Sequence, residues 1–305
     1  MQQRLPSTPT ISVIVATRNR RAALEQFLTH VRQLPTVPAW ELIVIDNGSS
    51  DDTSSLLTSA ADDLPLVAIE EPRQGKSRAL NKALRYARGE LLLFADDDIV
   101  PDRLWLSAIS EAAVKYPDAN VFGGRILIDS ESIPRWIVDS YNLRTILTTE
   151  QDLGDVVQWF PPGQYPVGPN IAIRRTLLDR SRYQWPLNLG PGTWVPLGDE
   201  RAFIMQLSSP QTRDRIYVPG SVVHHRVAGR ELSVGSAAGR CFLGGYAAGL
   251  IRDQQGGAVI SRDPGITKLA WQRYRRSASI AELLCNFARV VGVALGSVSP
   301  FPRVG

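Results

Sequence analysis

Three successive carboxylates, Asp96, Asp97 and Asp98, close the apolar run Leu91 to Phe94. Like charges this near repel one another, and the cluster becomes favourable when a cation joins it. A hard divalent ion such as Mg²⁺ or Mn²⁺ suits, because it takes carboxylate oxygens together with phosphate oxygens of a substrate. Alternation along an extended chain puts Asp96 and Asp98 on one side, so one can face a ligand while the other meets the metal. For an isolated triplet the alternative is a solvated acidic turn ahead of a helix starting near Asp102. Two more polar clusters follow apolar runs in the same way: Thr17, Arg18 and Asn19 after Ile11 to Ala16, and Asp46 with Asn47 after Leu42 to Ile45. Each alone also suits a turn or a helix cap. Together they mark carboxyl ends of strands in one sheet, where open α/β sheets bind ligands.

The elements that must position these residues are legible in the first third of the chain. Apolar runs alternate with helical patterns, the signature of a mostly parallel sheet covered by crossover helices. Leu24, Phe27, Leu28, Val31 and Leu34 recur at helical spacing within Arg21 to Leu34. A short helix is expected over Thr53 to Ala61, a third strand over Leu66 to Ile69, and a helix over Lys76 to Arg88 that stops at Gly89. Lys76 and Arg78 would then lie at a helix amino end, which favours anions. After about residue 125 the rhythm breaks, and a stretch to residue 200 rich in Pro, Gly, Trp and Tyr reads as loops and cleft walls. A helical pattern returns at Ala202 to Leu207, followed by two short strands around Pro219 and helices over about 234–253 and 266–298.

Composition bounds the class. The 305 residues are 44% hydrophobic and 21% charged, which excludes disordered and fibrous chains. Cys241 and Cys285 are too few for a disulfide framework and form no CxxC pair, so a reducing compartment fits. No stretch has the length of a membrane span, and a cytoplasmic protein is expected. Residues 257–305 hold seven Lys or Arg against two Asp or Glu, whereas the rest holds 27 against 28. The body is therefore no nucleic-acid binder, and any anionic partner meets the tail.

The runs ISVIVATRNR, ELIVIDNGSSDDT, RQGKSRALNKALRYARGELLLFADDDIVP, GPNIAIRR, GDERAFIMQL and YVPGSVVHH stand in this order over residues 10 to 228. The sequence they form resembles glycosyltransferase family 2, inverting enzymes of the GT-A fold that use nucleotide-diphospho-sugars. The resemblance implies an α/β fold of GT-A type, in which a Rossmann-like nucleotide-binding sheet is fused to an acceptor-binding part and followed by a helical C-terminal extension. It implies a donor half at 8–125, an acceptor and base half at 126–228, and an extension at 229–305. Thr17, Arg18, Asn19 and Asp46, with Asn47 beside it, would hold base and ribose. Gly75, Lys76 and Arg78 would lie near ribose and diphosphate. Asp96 and Asp98 would form a D-x-D metal site for Mn²⁺ or Mg²⁺, with Asp97 on the nucleotide side and His225, ahead of His224, as a further ligand. Gly168 and Asn170 would line the donor-sugar and acceptor cleft.

Inverting transfer needs a general base for the acceptor hydroxyl. The resemblance puts that base at Asp199 and Glu200, although the family order is usually Glu-Asp and here it is reversed. Aligning Gly198 and Phe203 favours Glu200 over Asp199, and ordinary first-turn acidity of a helix is the alternative for the pair. A UDP-sugar is the first choice of donor, with GDP- and dTDP-sugars open, and the acceptor is a glycan or lipid-linked hydroxyl. Two other readings stand. A sugar nucleotidyltransferase would need a Gly-rich loop after the first strand, and Thr17 to Arg21 contains no glycine. A non-catalytic nucleotide-sugar-binding scaffold draws on the reversed pair and on Ala202, where the family pattern has an acidic residue. In the tail, Ile280, Leu283, Leu284, Phe287, Val290, Val291, Ala294 and Leu295 recur at helical spacing behind Arg273, Arg275 and Arg276. Such a helix fits peripheral membrane contact through 266–298, or docking on the catalytic domain or on a second subunit.

Overall fold

The computed structural model describes residues 10–36, 38–128, 133–161, 164–179, 184–208, 213–226, 232–254 and 280–297. Its first third builds β1 (Ile11–Thr17), α1 (Arg21–Val31), β2 (Trp40–Asp46), α2 (Thr53–Ala60), β3 (Leu66–Glu70), α3 (Lys76–Ala83) and β4 (Leu91–Ala95). The four strands are parallel in the order β3-β2-β1-β4. The inner strands β1, β2 and β4 are covered on both faces and apolar inside, apart from the buried pair Ser12 and Glu41, while the edge strand β3 is partly exposed. Val13, Val15, Leu42 and Val44 meet Leu24, Phe27 and Leu28 of α1 on one face, while Ile14, Ile43 and Ile45 meet Ala79, Leu80 and Ala83 of α3 on the other. Each large side chain so buried contributes roughly 1.5–3 kcal/mol. Register pairs Thr17 with Asp46 and Val15 with Ala95, so the polar clusters that follow these strands emerge along one edge.

Beyond β4 the sheet continues where the sequence pattern suggested irregular walls. The chain forms β5 (Ile99–Pro101), α4 (Trp105–Lys115), β6 (Val121–Ile128), α5 (Arg135–Val138), α6 (Tyr141–Thr148), β7 (Gln158–Trp159), β8 (Ile171–Arg174), α7 (Arg175–Asp179), α8 (Asp199–Leu207) and β9 (Arg215–His225). The full order is β3-β2-β1-β4-β8-β6-β9-β5, with β7 on β9. Strand β8 is antiparallel to both β4 and β6, and only four residues long, too short for periodicity to announce it. The two strands expected around Pro219 are one strand with a register shift against β6 opposite Gly124 and Arg125. A bulge there accommodates a residue that lacks the N–H a ladder needs. Helix α3 ends at Ala83, short of the expected Arg88, because Gly89 must press against the backbone of Ser12, whose hydroxyl accepts its N–H at 2.8 Å.

Two C-terminal helices, α9 (Val234–Gln254) and α10 (Ile280–Ser297), complete the described chain. The expected helix over 266–298 is seen as α10, and its residues 266–279 lie outside the described ones. The pair runs in the same direction, Gly245 against Arg289 and Gly249 against Val293. From α10, Gly292 and Gly296 return the contact onto Phe242 and Tyr246. A Cβ at any of these four glycines would collide with a facing backbone atom, so the two main chains touch. No helix among the described residues is long and apolar enough to cross a membrane.

Candidate active site

The edge where β1, β2 and β4 end carries two corners. In the first, the pleat sends Asp97 inward to 2% exposure and leaves Asp96 and Asp98 half-buried outside. Asp97 accepts the Thr17 hydroxyl at 2.6 Å and lies 3.3 Å from Nε of Arg20. Burial pushes the Asp97 carboxyl up to about 6, against the pull of Arg20 and Thr17. Asp98 Oδ2 accepts from Arg20 Nη2 at 2.6 Å. Its other oxygen, Oδ1, is 3.5 Å from His225 Nε2 and is buried with no hydrogen-bond partner among the described residues. Burial works against the charge on Asp98, but His225 and Arg20 outweigh it and hold its pKa below the ordinary carboxylate range.

His225 is aimed by the main chain. Its Nδ1 lies 2.8 Å from the Thr148 carbonyl, and a carbonyl only accepts, so Nδ1 carries a proton. Nε2 is thereby turned toward Asp98. Burial lowers the imidazole's proton affinity, yet Asp98 raises it further, and the net shift is upward. Asp96, Asp98 and His225 each offer a ligating atom within 4.8 Å of the others. Two carboxylates and an imidazole with a main-chain acceptor behind it are a donor set that could hold a divalent cation.

The second corner joins α3 to α8. Gly75 caps α3 at φ 130°, a conformation that side chains resist. Lys76 then sends Nζ to Asp96 Oδ1 at 2.5 Å. Burial opposes its charge, but Asp96, Glu200 and Asp199 raise its pKa above the usual lysine value. Glu200 is half-buried in the first turn of α8, beside Asp199, which is 1% exposed. Asp199 lies against Gly190, and its Oδ2 has no hydrogen-bond partner among the described residues. Burial and then Glu200 push the Asp199 pKa well above the ordinary range, with Lys76 opposing.

The remaining candidates divide between cleft and scaffold. Arg18 is exposed and Arg78 half-buried. Asn19 takes φ 52° and links the β1 and β2 loops, donating its N–H to Ser49 Oγ and accepting from the Ser50 N–H at 2.7 Å. Asp46 accepts the Ser49 N–H at 2.9 Å. Asn47 donates to the carbonyls of Glu71 and Arg73 and accepts from Gly75, so its amide holds the 71–75 loop. Gly168 turns at φ 62° beside Thr149.

Three candidates are taken up inside the fold. Asn170 is wholly buried: its Oδ1 accepts from Trp105 Nε1 at 2.9 Å, and its Nδ2 donates to the carbonyls of Arg125 and Ser221. It ties α4, β6 and β9 together and does not line the cleft. Thr17 and Asp97 are likewise buried, hydrogen-bonded to each other inside the sheet edge. Arg20, within the same TRNR run, reads in sequence as the start of α1 and gives no sign of its place beside Asp97 and Asp98. Thr148 acts through its carbonyl, which no side-chain motif can signal.

A model of the family described as "Glycosyl transferase family 2" matches residues 12–182, more than half of the chain. The chain belongs to this family. Among curated relatives, the GalNAc(5)-diNAcBac-PP-undecaprenol beta-1,3-glucosyltransferase of Campylobacter jejuni is 35% identical over 128 residues, 40% of each protein. The chain spans under half the length of the curated relatives it matches. Among solved structures, the mannosyltransferase PcManGT from Pyrobaculum calidifontis, in complex with GDP-Man and Mn2+, aligns with a TM-score of 0.59 at 22% identity. That alignment covers 97% of this chain and 77% of the other. S. aureus TarS 1-349 in complex with UDP-GlcNAc aligns at 0.54 and 15% identity, covering 94% and 90%. These likenesses establish the fold: the family 2 chain has the GT-A architecture implied by its motifs, with helices at its C-terminus.

Proposed function

We propose that this family 2 chain is a metal-dependent inverting glycosyltransferase. It moves a sugar from a nucleotide-diphospho-sugar, with a UDP-sugar as first choice, to a hydroxyl of a glycan or lipid-linked acceptor. The observation that carries this reading is the grouping of Asp96, Asp98 and His225, in which the buried Asp98 Oδ1 has no hydrogen bond among the described residues and lies 3.5 Å from His225 Nε2, on an edge shared with Lys76 and Glu200. A cation satisfies that oxygen, and the two carboxylates and imidazole fit Mn²⁺ or Mg²⁺. A metal bound there supplies positive charge to a departing diphosphate.

The chain's own groups do the rest in this reading. Residues 8–125 hold the donor: Asn47 and Asp46 shape the loops for the nucleotide, and Lys76, at a helix amino end, adds a second positive charge near the phosphates. Residues 126–228 bring the base and the acceptor wall. Glu200 takes the proton from the acceptor hydroxyl as it attacks the anomeric carbon on the face opposite the leaving diphosphate. Asp199 is buried with its pKa pushed upward, which makes it the poorer base and supports Glu200 in this reading. Trp194, exposed on the loop before α8 and edge-on to Tyr246 at 5.8 Å, offers a ring face to an acceptor sugar.

The test is a panel of UDP-, GDP- and dTDP-sugars screened by thermal shift with and without Mn²⁺, followed by assay of slow donor hydrolysis for the best binder. A metal-dependent shift with release of nucleoside diphosphate is expected. Binding without any turnover would leave a non-catalytic scaffold as the better description.

A further inference from the structure

A single peptide group at the end of α6 aims His225. The unit joining Thr148 to Thr149 donates its N–H back into the helix, to the Thr145 carbonyl at 3.2 Å, and presents its C=O to His225 Nδ1 at 2.8 Å. The last carbonyls of a helix lack partners within it, so one that leaves the axis is free to hold a group outside. What turns it is Thr149, which ends α6 at φ 63° and ψ 20°. Among the described residues, Thr149 and Asn19 are the two that take a positive φ without being glycine. Asparagine tolerates this left-handed region, whereas a β-branched residue is a rare occupant of it. Such strain persists only where the surroundings over-determine it, and it gathers at functional sites.

The turn is held from both sides. Before it, Ser140 Oγ accepts the Leu143 N–H to cap α6, and Leu143 and Leu147 share one buried cluster with Ala237 and Cys241 of α9. After it, Gln151 exchanges both main-chain hydrogen bonds with Ile126 of β6, at 2.9 and 3.1 Å. The Gln151 side chain donates to the Gly124 carbonyl and accepts the Val167 N–H, which brings up Gly168, itself at φ 62°. A Cβ on Gly168 would stand 2.5 Å from the Thr149 methyl carbon, far inside the separation at which two carbons pack. We propose that Thr149 and Gly168 are positioning residues for His225: the left-handed turn, given room by the missing side chain at 168, aims the Thr148 carbonyl at Nδ1 and so points Nε2 at Asp98 and the metal site. The inference rests on the metal reading above and gives Gly168 a part in that site without contact with a sugar. Acceptors behind a ligating histidine fix its orientation, and their loss weakens metal affinity by about 10- to 100-fold.

Titration of the full chain with Mn²⁺ alone tests it. Gly168→Ala should weaken binding about tenfold or more while the far-ultraviolet circular dichroism stays that of the wild type. Adding Thr149→Gly removes the methyl group that the new Cβ strikes and keeps the turn accessible, so affinity should return to within about threefold of the wild-type value. A merely structural effect would not be rescued, because a second glycine loosens the chain further. Imidazole ¹⁵N NMR of the metal-free chain gives a reading that needs no altered turn. The chain has three histidines, and the signal of His225 is assigned by its absence from His225→Ala. Wild-type His225 should carry on Nδ1 a proton protected from exchange, and Gly168→Ala should lose that protection. Unchanged Mn²⁺ affinity in Gly168→Ala, no recovery in the double variant, or a wild-type His225 without a proton on Nδ1 would each overturn the positioning role. Wild-type chain that shows the Nδ1 proton yet takes up no Mn²⁺ would instead strike the metal reading, and the proposal with it.

Discussion

Asp98, half-buried after β4, and Asp199, buried in the first turn of α8, sit in surroundings that treat charge in opposite ways. Asp98 has Arg20 on one oxygen and His225 facing the other, so it stays ionised despite burial. Asp199 has Glu200 beside it and Lys76 as its opposing cation, and burial with Glu200 prevails, so its pKa is raised. Ionisation inside a protein depends on nearby compensation more than on depth. The first corner favours the charged form of its carboxyl, and the second disfavours it.

Removing the ionised member should do the most damage. Asp98→Ala is expected to lower kcat/KM on the order of 10³-fold and to abolish the manganese dependence of nucleotide binding. Calorimetry with UDP, with and without Mn²⁺, reads the second effect. Unchanged metal dependence would move the cation elsewhere. Glu200→Gln comes next, with a loss in kcat of roughly 10²–10⁴-fold and donor affinity preserved. A parallel loss of affinity would make Glu200 part of the donor cradle and undo the contrast with Asp98. A smaller effect is expected from His225→Ala, which removes one ligand while Asp96 and Asp98 remain. Mn²⁺ affinity should fall about 10- to 100-fold, as seen by titration of the protein with the metal alone.

The contrast between the corners was only partly legible in the sequence. Parallel strands β1, β2 and β4 are mostly apolar and end in polar clusters, so their positions and the alternation of Asp96, Asp97 and Asp98 could be read from spacing. What local pattern cannot carry is the partner across the fold. Asn170 looked like a cleft residue because its run resembles one, yet Trp105 and Ser221, distant in sequence, consume its amide. Likewise Arg20 follows Thr17 by three residues and reads as a helix start, while its guanidinium spans 78 residues to reach Asp98. Strand β8 was missed for a different reason, because four residues between β4 and β6 show no period.

The least disruptive substitution sharpens the comparison most. If Asp199 keeps its proton in the folded chain, Asp199→Asn replaces one neutral group with another of similar shape, and turnover should change by less than about tenfold. Stability should respond through pH instead. A carboxyl whose folded pKa lies above its unfolded value of 3.8 gives stability that is fully present below that value and is lost as pH rises through the folded pKa. The asparagine cannot titrate, so this loss disappears in the variant. Melting temperatures of the two proteins should therefore be nearest at about pH 4 and diverge toward about pH 8, with the variant the more stable. Parallel melting curves across that range would mean that Lys76 outweighs burial and Glu200, leaving Asp199 as ionised as Asp98 and both carboxylates of the α8 pair open as the base.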